Sequence, residues 1–281
     1  MSTITLKLNE EQQDKLYAAF QEAKTQPPAY ARYQLRPEGC VITCYNSGKT
    51  VFQGKDAEVY ASAFQTVSPE DMILPQAGSD EVGTGDYFGP VCVAAVIIHE
   101  SDLPNIQQLG IGDSKQISDV KIRQIAPKLE ELLVTTRLIV TPEKYNQVHA
   151  FANMNAIKAK LHNQAYINLS AKEPLPDFCM VDQFAEKPIY YHYLKNEPKV
   201  IRSLHFETKA EDRYLSVGAA SIIARNAFLT YMDQMSAAYD MTFARGSGAA
   251  AEKCAETFVK RYGKNRLREV SKLHFALTER I

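Results

Sequence analysis

The sequence predicts an α/β protein in which a large domain, a mixed sheet flanked by helices, is preceded by a small α+β domain. Three observations carry that expectation. The chain has 281 residues, enough for one large domain and a small companion. Its 45% hydrophobic and 23% charged residues are those of a packed globular protein rather than a disordered or fibrous one. The texture also changes near Gly78, from short alternating segments to a continuous apolar run followed by helical and strand-like patterns in turn.

Element by element, Thr3-Ile4-Thr5-Leu6-Lys7-Leu8 alternates as a strand does, and Asn9 caps a helical stretch carrying Leu16, Tyr17 and Phe20. Pro27-Pro28 ends that helix. Tyr30 to Leu35, Cys40 to Tyr45 and Thr50 to Gln53 then read as strands of an antiparallel meander. They are separated by the turns Arg36-Pro37-Glu38-Gly39 and Asn46-Ser47-Gly48-Lys49. A second helix is expected from near Asp56 through Val59, Tyr60 and Phe64. The expected division is a small domain over residues 1–67, a linker over 68–77 with Ser68-Pro69-Glu70 and Pro75-Gln76-Ala77, and the large domain over 78–281.

In the large domain, Val91-Cys92-Val93-Ala94-Ala95-Val96-Ile97-Ile98 suits a strand buried on both faces. Helices are expected at Asp119–Leu133, Asn155–Ser170, Ala219–Ala238 and Ala249–Tyr262, with strands at Thr136–Val140, Phe178–Val181 and Val200–Leu204. Lys264–Ile281 reads as a loop and a last helix.

A net charge of −1 gives no bulk attraction to a polyanion, so nucleic-acid binding needs local basic patches. Five cysteines without CxxC pairing read as reduced thiols. No apolar run approaches the roughly 18 residues of a membrane span, and no signal peptide is evident. A soluble, cytoplasmic chain is the expectation.

The residues that point to chemistry are acidic. Asp80-Glu81 lies at or beside a strand and is followed by Val82-Gly83-Thr84-Gly85-Asp86-Tyr87-Phe88-Gly89-Pro90. Strand alternation sends neighbouring side chains to opposite faces, whereas a glycine-rich bend can bring both to one site; Gly83 and Gly85 also let the main chain approach a ligand closely. An exposed acidic turn is the plainer alternative. Asp182 follows the apolar strand Phe178-Cys179-Met180-Val181, at the end where open α/β sheets place ligands. Glu211 precedes the small-residue stretch Gly218-Ala219-Ala220-Ser221-Ile222, expected as a helix start. Each of these two acids also suits a cap or a solvated loop. Carboxylates that converge repel one another unless a cation neutralises them, which points to Mg²⁺ or Mn²⁺ if the chain brings them together.

The segment Gly78 to Pro90, with Gly112-Asp113-Ser114-Lys115, Val181-Asp182, Lys209-Ala210-Glu211, Ala219-Ala220-Ser221-Ile222-Ile223-Ala224-Arg225 and Lys272-Leu273-His274-Phe275, resembles the type 2 ribonuclease H family, in the same order. Within it the likeness is to the bacterial ribonuclease HIII branch. The glycine segment reads Gly83-Thr84-Gly85 where ribonuclease HII usually has Gly-Arg-Gly, the fourth acid is Glu211 in place of Asp, and an extra amino-terminal domain precedes.

The resemblance implies a ribonuclease H-like catalytic domain behind a domain similar to half of the TATA-binding-protein fold. It implies hydrolysis of the RNA strand of an RNA/DNA hybrid, leaving 5′-phosphate and 3′-hydroxyl ends. Asp80, Glu81, Asp182 and Glu211 would be the catalytic residues and metal ligands for Mg²⁺ or Mn²⁺, two ions during catalysis. Main-chain groups of Gly83, Thr84 and Gly85 would meet RNA 2′-hydroxyls. Because Thr84 stands where ribonuclease HII has arginine, hybrids are expected to be cut in strong preference to single embedded ribonucleotides.

Lys115 is a candidate phosphate contact, and Ser221 a phosphate contact or a helix cap. Lys209 and Arg225 are expected near the acids, and His274 as a packed residue. Tyr30, Tyr33, Tyr45, Phe52, Lys49 and Lys55 would form an aromatic and basic surface on the small domain or, for most of the aromatics, its core. The expected partner is an RNA/DNA hybrid, with no membrane and a monomeric chain.

Overall fold

The structure, a computed structural model, describes residues 2–8, 10–62, 73–109, 111 and 117–281. The chain divides into two compact units, residues 1–71 and 72–281.

The first unit contains β1 (Ser2–Lys7), α1 (Glu10–Ala19), β2 (Lys24–Thr25), β3 (Ala31–Leu35), β4 (Cys40–Tyr45), β5 (Lys49–Gly54) and α2 (Ala57–Ser62). Its sheet runs β1-β5-β4-β3-β2, antiparallel throughout. Leu16 of α1 and Ala57 and Ala61 of α2 are buried in one core with Leu35, Ile42, Cys44 and Phe52 of the sheet. Tyr33 and Phe52 belong to this core and not to an outer surface, because strand alternation points them inward. Buried Tyr33 keeps its hydroxyl satisfied by donating to the Gln13 carbonyl at 2.7 Å. Asn9 and Phe64 lie outside the described residues.

The second unit contains β6 (Gln76–Val82), β7 (Val91–Ile98), α3 (Leu103–Leu109), α4 (Asp119–Leu132), β8 (Val134–Val140), α5 (Pro142–His149), α6 (Met154–Lys172), β9 (Phe178–Asp182), α7 (Lys187–Tyr193), β10 (Leu204–Glu207), α8 (Leu215–Ala238), α9 (Ala249–Tyr262), α10 (Leu267–Val270) and α11 (Leu277–Arg280). The sheet order is β10-β9-β6-β7-β8; β10, β9 and β6 are parallel, while β7 is antiparallel to both β6 and β8.

The two-residue period of β7 divides the core in two. Cys92, Ala94, Val96 and Ile98 pack with Ala220, Ile223 and Ala227 of α8 and with Ile122 and Leu129 of α4. Val93, Ala95 and Ile97 pack on the opposite face with Ala159, Ala165 and Tyr166 of α6. Gly78 lets α8 lie against β6: a Cβ there would stand 2.4 Å from the Val217 backbone nitrogen.

Several elements differ from the sequence expectation. β6 begins at Gln76, inside the stretch expected as linker. α8 begins at Leu215, so Gly218 to Ser221 lie within the helix rather than at its start. The strand expected from Val200 begins at Leu204. Before it, the Asn163 side chain accepts from the Ile201 backbone nitrogen at 2.9 Å and donates to the Lys199 carbonyl at 2.8 Å, replacing a sheet partner. α3, α5 and α7 are additional helices, α5 being started by Thr141 as N-cap with Pro142 behind it.

Candidate active site

Asp80 and Glu81 are still within regular strand, and their side chains leave it in opposite directions. Asp80 lies opposite Ala94 of the α8 face and Glu81 opposite Val93 of the α6 face. The glycine bend does not turn both onto one face, because it begins only after β6 has ended at Val82. Asp182 occupies the last position of parallel β9, and Glu211 sits in a short 3-10 turn, Ala210–Asp212, between β10 and α8. Three neighbouring parallel strands therefore bring their acids toward the carboxyl end of the sheet, with Asp80 facing Ser221 of α8.

Burial and mutual charge define the electrostatics. Asp80 is 7% and Glu211 8% exposed. Burial raises the Asp80 carboxyl well above the usual range and the charges of Glu81 and Asp182 add to this; a hydrogen bond from Ser221 and the Glu81 N–H, 2.7 Å from Oδ1, oppose it. Burial also lifts Asp182, to about 6, with Glu211 and Glu81 adding to the rise against an N–H bond from Ala210 at 3.0 Å.

Glu81 behaves differently. Burial pushes its carboxyl up, but His162 and Lys158 together overcome that and hold it below the usual range. Lys158 forms a close ion pair with Oε1, and His162 Nε2 lies 2.7 Å from Oε2. Both partners come from α6. The sequence reading misses them, although the signal is there: Lys158 and His162 are one helical turn apart among the buried Ile157, Ala159, Ala165 and Tyr166, where a solvated charge has no place.

Among the described residues, no three His, Cys, Asp or Glu side chains are already arranged as a metal cage. In this arrangement Glu81 is engaged with Lys158 and His162 of α6, and Asp182 accepts from the Ala210 N–H. The donor set nevertheless fits a hard divalent cation: four carboxylates with oxygen donors, of which Asp80 and Asp182 are held above their normal range partly by charge from the others.

The bend after β6 is built rigidly. Gly83 has φ +97°, and a Cβ there would meet the Pro90 carbonyl oxygen at 2.2 Å; at exposed Gly85 a Cβ would meet nothing within 4 Å. The fully buried Lys272 donates from Nζ to the Gly89 carbonyl at 2.6 Å, and its backbone nitrogen donates to Tyr87 O at 2.8 Å. Burial drives this ammonium down to about 7. The Asp86 carboxylate accepts from the Gly246 N–H at 2.6 Å. Half-buried Thr84 sits at the tip beside Gly85.

The remaining candidates fall in different places. Ser221 donates to Asp80 and caps nothing, because α8 starts six residues earlier. Arg225 pairs with Asp119 of α4 at 2.6 Å rather than with the four acids. Lys209 is exposed in a left-handed conformation, φ +58°, at the entry to the Glu211 turn. His274 stacks on His149 with centroids 4.4 Å apart and lies 3.2 Å from the Tyr145 hydroxyl, a packed role. Lys115 lies outside the described residues. In the first unit, Tyr30, Tyr45, Asn46, Ser47 and Lys49 line a shallow depression of about 530 Å³.

Comparison with known proteins identifies the family. Residues 77–278 match the sequence profile of the family described as Ribonuclease HII, and residues 3–72 match a domain of unknown function, DUF3378. Ribonuclease HIII of Exiguobacterium sibiricum is 38% identical over 296 residues, covering 100% of this chain and 96% of that protein. Ribonuclease HIII of Bacillus subtilis is 38% identical over 275 residues, covering 90% and 88%. The crystal structure of Bst-RNase HIII in complex with Mn²⁺ superposes with a TM-score of 0.73 at 34% identity, over 99% of this chain and 97% of that one. Carboxylates gathered at one end of a five-stranded mixed sheet, a small sheet unit ahead of it, and full-length likeness to proteins of one name lead to one conclusion: the chain belongs to the ribonuclease HIII branch of the type 2 ribonucleases H.

Proposed function

We propose that this chain cuts the RNA strand of RNA/DNA hybrids endonucleolytically, with two divalent ions held by Asp80, Glu81, Asp182 and Glu211, leaving 5′-phosphate and 3′-hydroxyl ends. Ribonuclease HIII acts on RNA/DNA hybrids and is metal-dependent, and the family membership carries that much directly. What supports the residue assignment is a single observation, the gathering of the carboxylates out of water at the sheet end, where burial raises Asp80 and Asp182 and their neighbours' charge adds to the rise. Such repulsion is relieved when cationic charge enters.

Bound divalent ions supply the charge that offsets the phosphate and the acidity that prepares a water for attack. The chain's own groups hold the ligands and the substrate. Ser221 fixes Asp80, Lys158 and His162 fix Glu81, and the Ala210 N–H fixes Asp182. The main chain of Gly83-Thr84-Gly85, braced by Lys272, is the surface we assign to RNA 2′-hydroxyls. The described residues contain no helix long and apolar enough to cross a membrane. We assign the working form as a cytoplasmic monomer.

The test is cleavage of an end-labelled RNA/DNA hybrid beside duplex RNA and a duplex carrying one ribonucleotide, in Mn²⁺, in Mg²⁺ and in chelator. The expected result is metal-dependent cutting of the hybrid, with 5′-phosphate ends and little cutting at the single ribonucleotide. Equal cutting in chelator, or none in either metal, sinks the reading.

A further inference from the structure

Glu81 has both carboxylate oxygens occupied before any metal arrives. Lys158 holds Oε1, and His162 Nε2 holds Oε2 at 2.7 Å. A carboxylate only accepts, so Nε2 carries a proton and donates, while Nδ1 lies 2.7 Å from the Ser79 hydroxyl, which fixes the ring from its other side. His162 is fully buried and Lys158 is 8% exposed. Phe184 closes over both, with the ammonium 4.0 Å from its ring centroid and the imidazole stacked at 5.5 Å. A lysine this buried needs a counter-charge, and among the described residues Glu81 is the one paired with it.

The consequence for a divalent ion differs between the two partners. An ion approaching Glu81 meets a positive charge a few ångströms away, or else draws the carboxylate off Lys158 and leaves the ammonium with the Phe184 face. Both routes weaken binding. His162, held between Ser79 and Glu81, fixes the direction of the carboxylate through its Nε2–H, and so presents it to an ion in one orientation.

Resting on the metal-dependent reading above, we propose that Lys158 is a built-in countercation that occupies Glu81 in the metal-free protein and lowers the affinity of the site for divalent ions, while His162 is a positioning residue that raises it. The two residues sit one turn apart on the same face of α6 and touch the same carboxylate, yet their removal has opposite effects on metal binding. A shared structural role does not produce that split.

Mn²⁺ titration by calorimetry on the whole chain tests this. Lys158→Met and Lys158→Gln are expected to bind Mn²⁺ about tenfold more tightly than the unsubstituted protein, through loss of like-charge repulsion. Lys158→Arg keeps the charge and stays near the original affinity. His162→Leu is expected to bind about tenfold more weakly, and His162→Gln, which retains an N–H donor, to recover part of that loss. Without metal, Lys158→Met should unfold at a lower temperature and gain more from saturating Mn²⁺ than the unsubstituted protein does. Equal or weaker Mn²⁺ binding by both Lys158→Met and Lys158→Gln overturns the countercation, and unchanged binding by His162→Leu overturns the positioning role. The underlying reading fails in a different way: the unsubstituted protein binds no Mn²⁺, or Asp80→Asn binds it equally well, and the proposal falls with it.

Discussion

The two faces of β6 treat adjacent acids in opposite ways. On the α8 face Asp80 is buried beside other carboxylates, supported by a serine hydroxyl and a backbone N–H, and its carboxyl is pushed up. On the α6 face Glu81 is equally removed from water but is met by an ammonium and an imidazole, and its carboxyl is held down. One residue of separation thus divides a site that needs a cation from a site that already contains one. The α8 side stores repulsion that metal relieves, whereas the α6 side stores an ion pair that metal disturbs.

The sharpest way to break that comparison is to neutralise each acid in turn. Asp80→Asn should lower hybrid cleavage at least about a hundredfold, as removal of a group that acts on developing charge does. In chelator it should raise the unfolding temperature, because it deletes a buried charge that its neighbours oppose. Glu81→Gln should also abolish most cleavage, but in chelator it should cost about 3 kcal/mol of stability by leaving Lys158 buried without its counter-charge. Cleavage assays and thermal unfolding on the two variants measure both halves. Stability changes of the same sign would end the distinction between the faces.

A pH series sharpens the same contrast on the repulsive side. The Asp182 carboxyl is raised from its ordinary 3.8 to about 6, so between those values the folded metal-free protein binds the proton that the unfolded chain has released. Its contribution to stability is present below about 3.8 and is lost as pH rises through about 6. Thermal unfolding in chelator should therefore show a pH-dependent difference between the protein and Asp182→Asn over that window. Saturating Mn²⁺ should reduce that difference. A difference that grows as pH falls would contradict the sign.

Much of this was legible in the sequence, and the part that was not has a common cause. The apolar run of β7, the helical period of α6 and α9, and the order of Asp80, Glu81, Asp182 and Glu211 are local patterns, and local patterns survive in a sequence. The meander of the first unit is equally visible in its turns. Which face each acid takes is left open in the sequence, because the glycines at 83 and 85 allow a bend that competes with the strand alternation governing residues 80 and 81. The partners of Glu81 lie about 80 positions away on α6, as the Glu81–His162 separation of 81 shows, and no spacing rule connects them. Lys272 is a similar case, since its bond to Gly89 spans 183 residues. The shift of β10 has a different origin: the Asn163 amide satisfies backbone at Lys199 and Ile201, a side-chain contribution that propensity does not register.

The smallest effect concerns Ser221, where the sequence and the structure assign different roles. The sequence offers a phosphate contact or a cap, while in the folded chain the hydroxyl bonds Asp80 from within α8. Ser221→Ala removes one hydrogen bond to a buried carboxyl, worth about 1 kcal/mol. Because that bond favours the ionised form, its loss should raise the Asp80 carboxyl further and weaken Mn²⁺ binding by several-fold, roughly the factor that 1 kcal/mol represents. Hybrid affinity measured in chelator should stay unchanged, since no phosphate contact has been removed. If hybrid affinity falls in chelator while Mn²⁺ binding holds, Ser221 faces the substrate, and the α8 side of β6 is less closed around Asp80 than its 7% exposure implies.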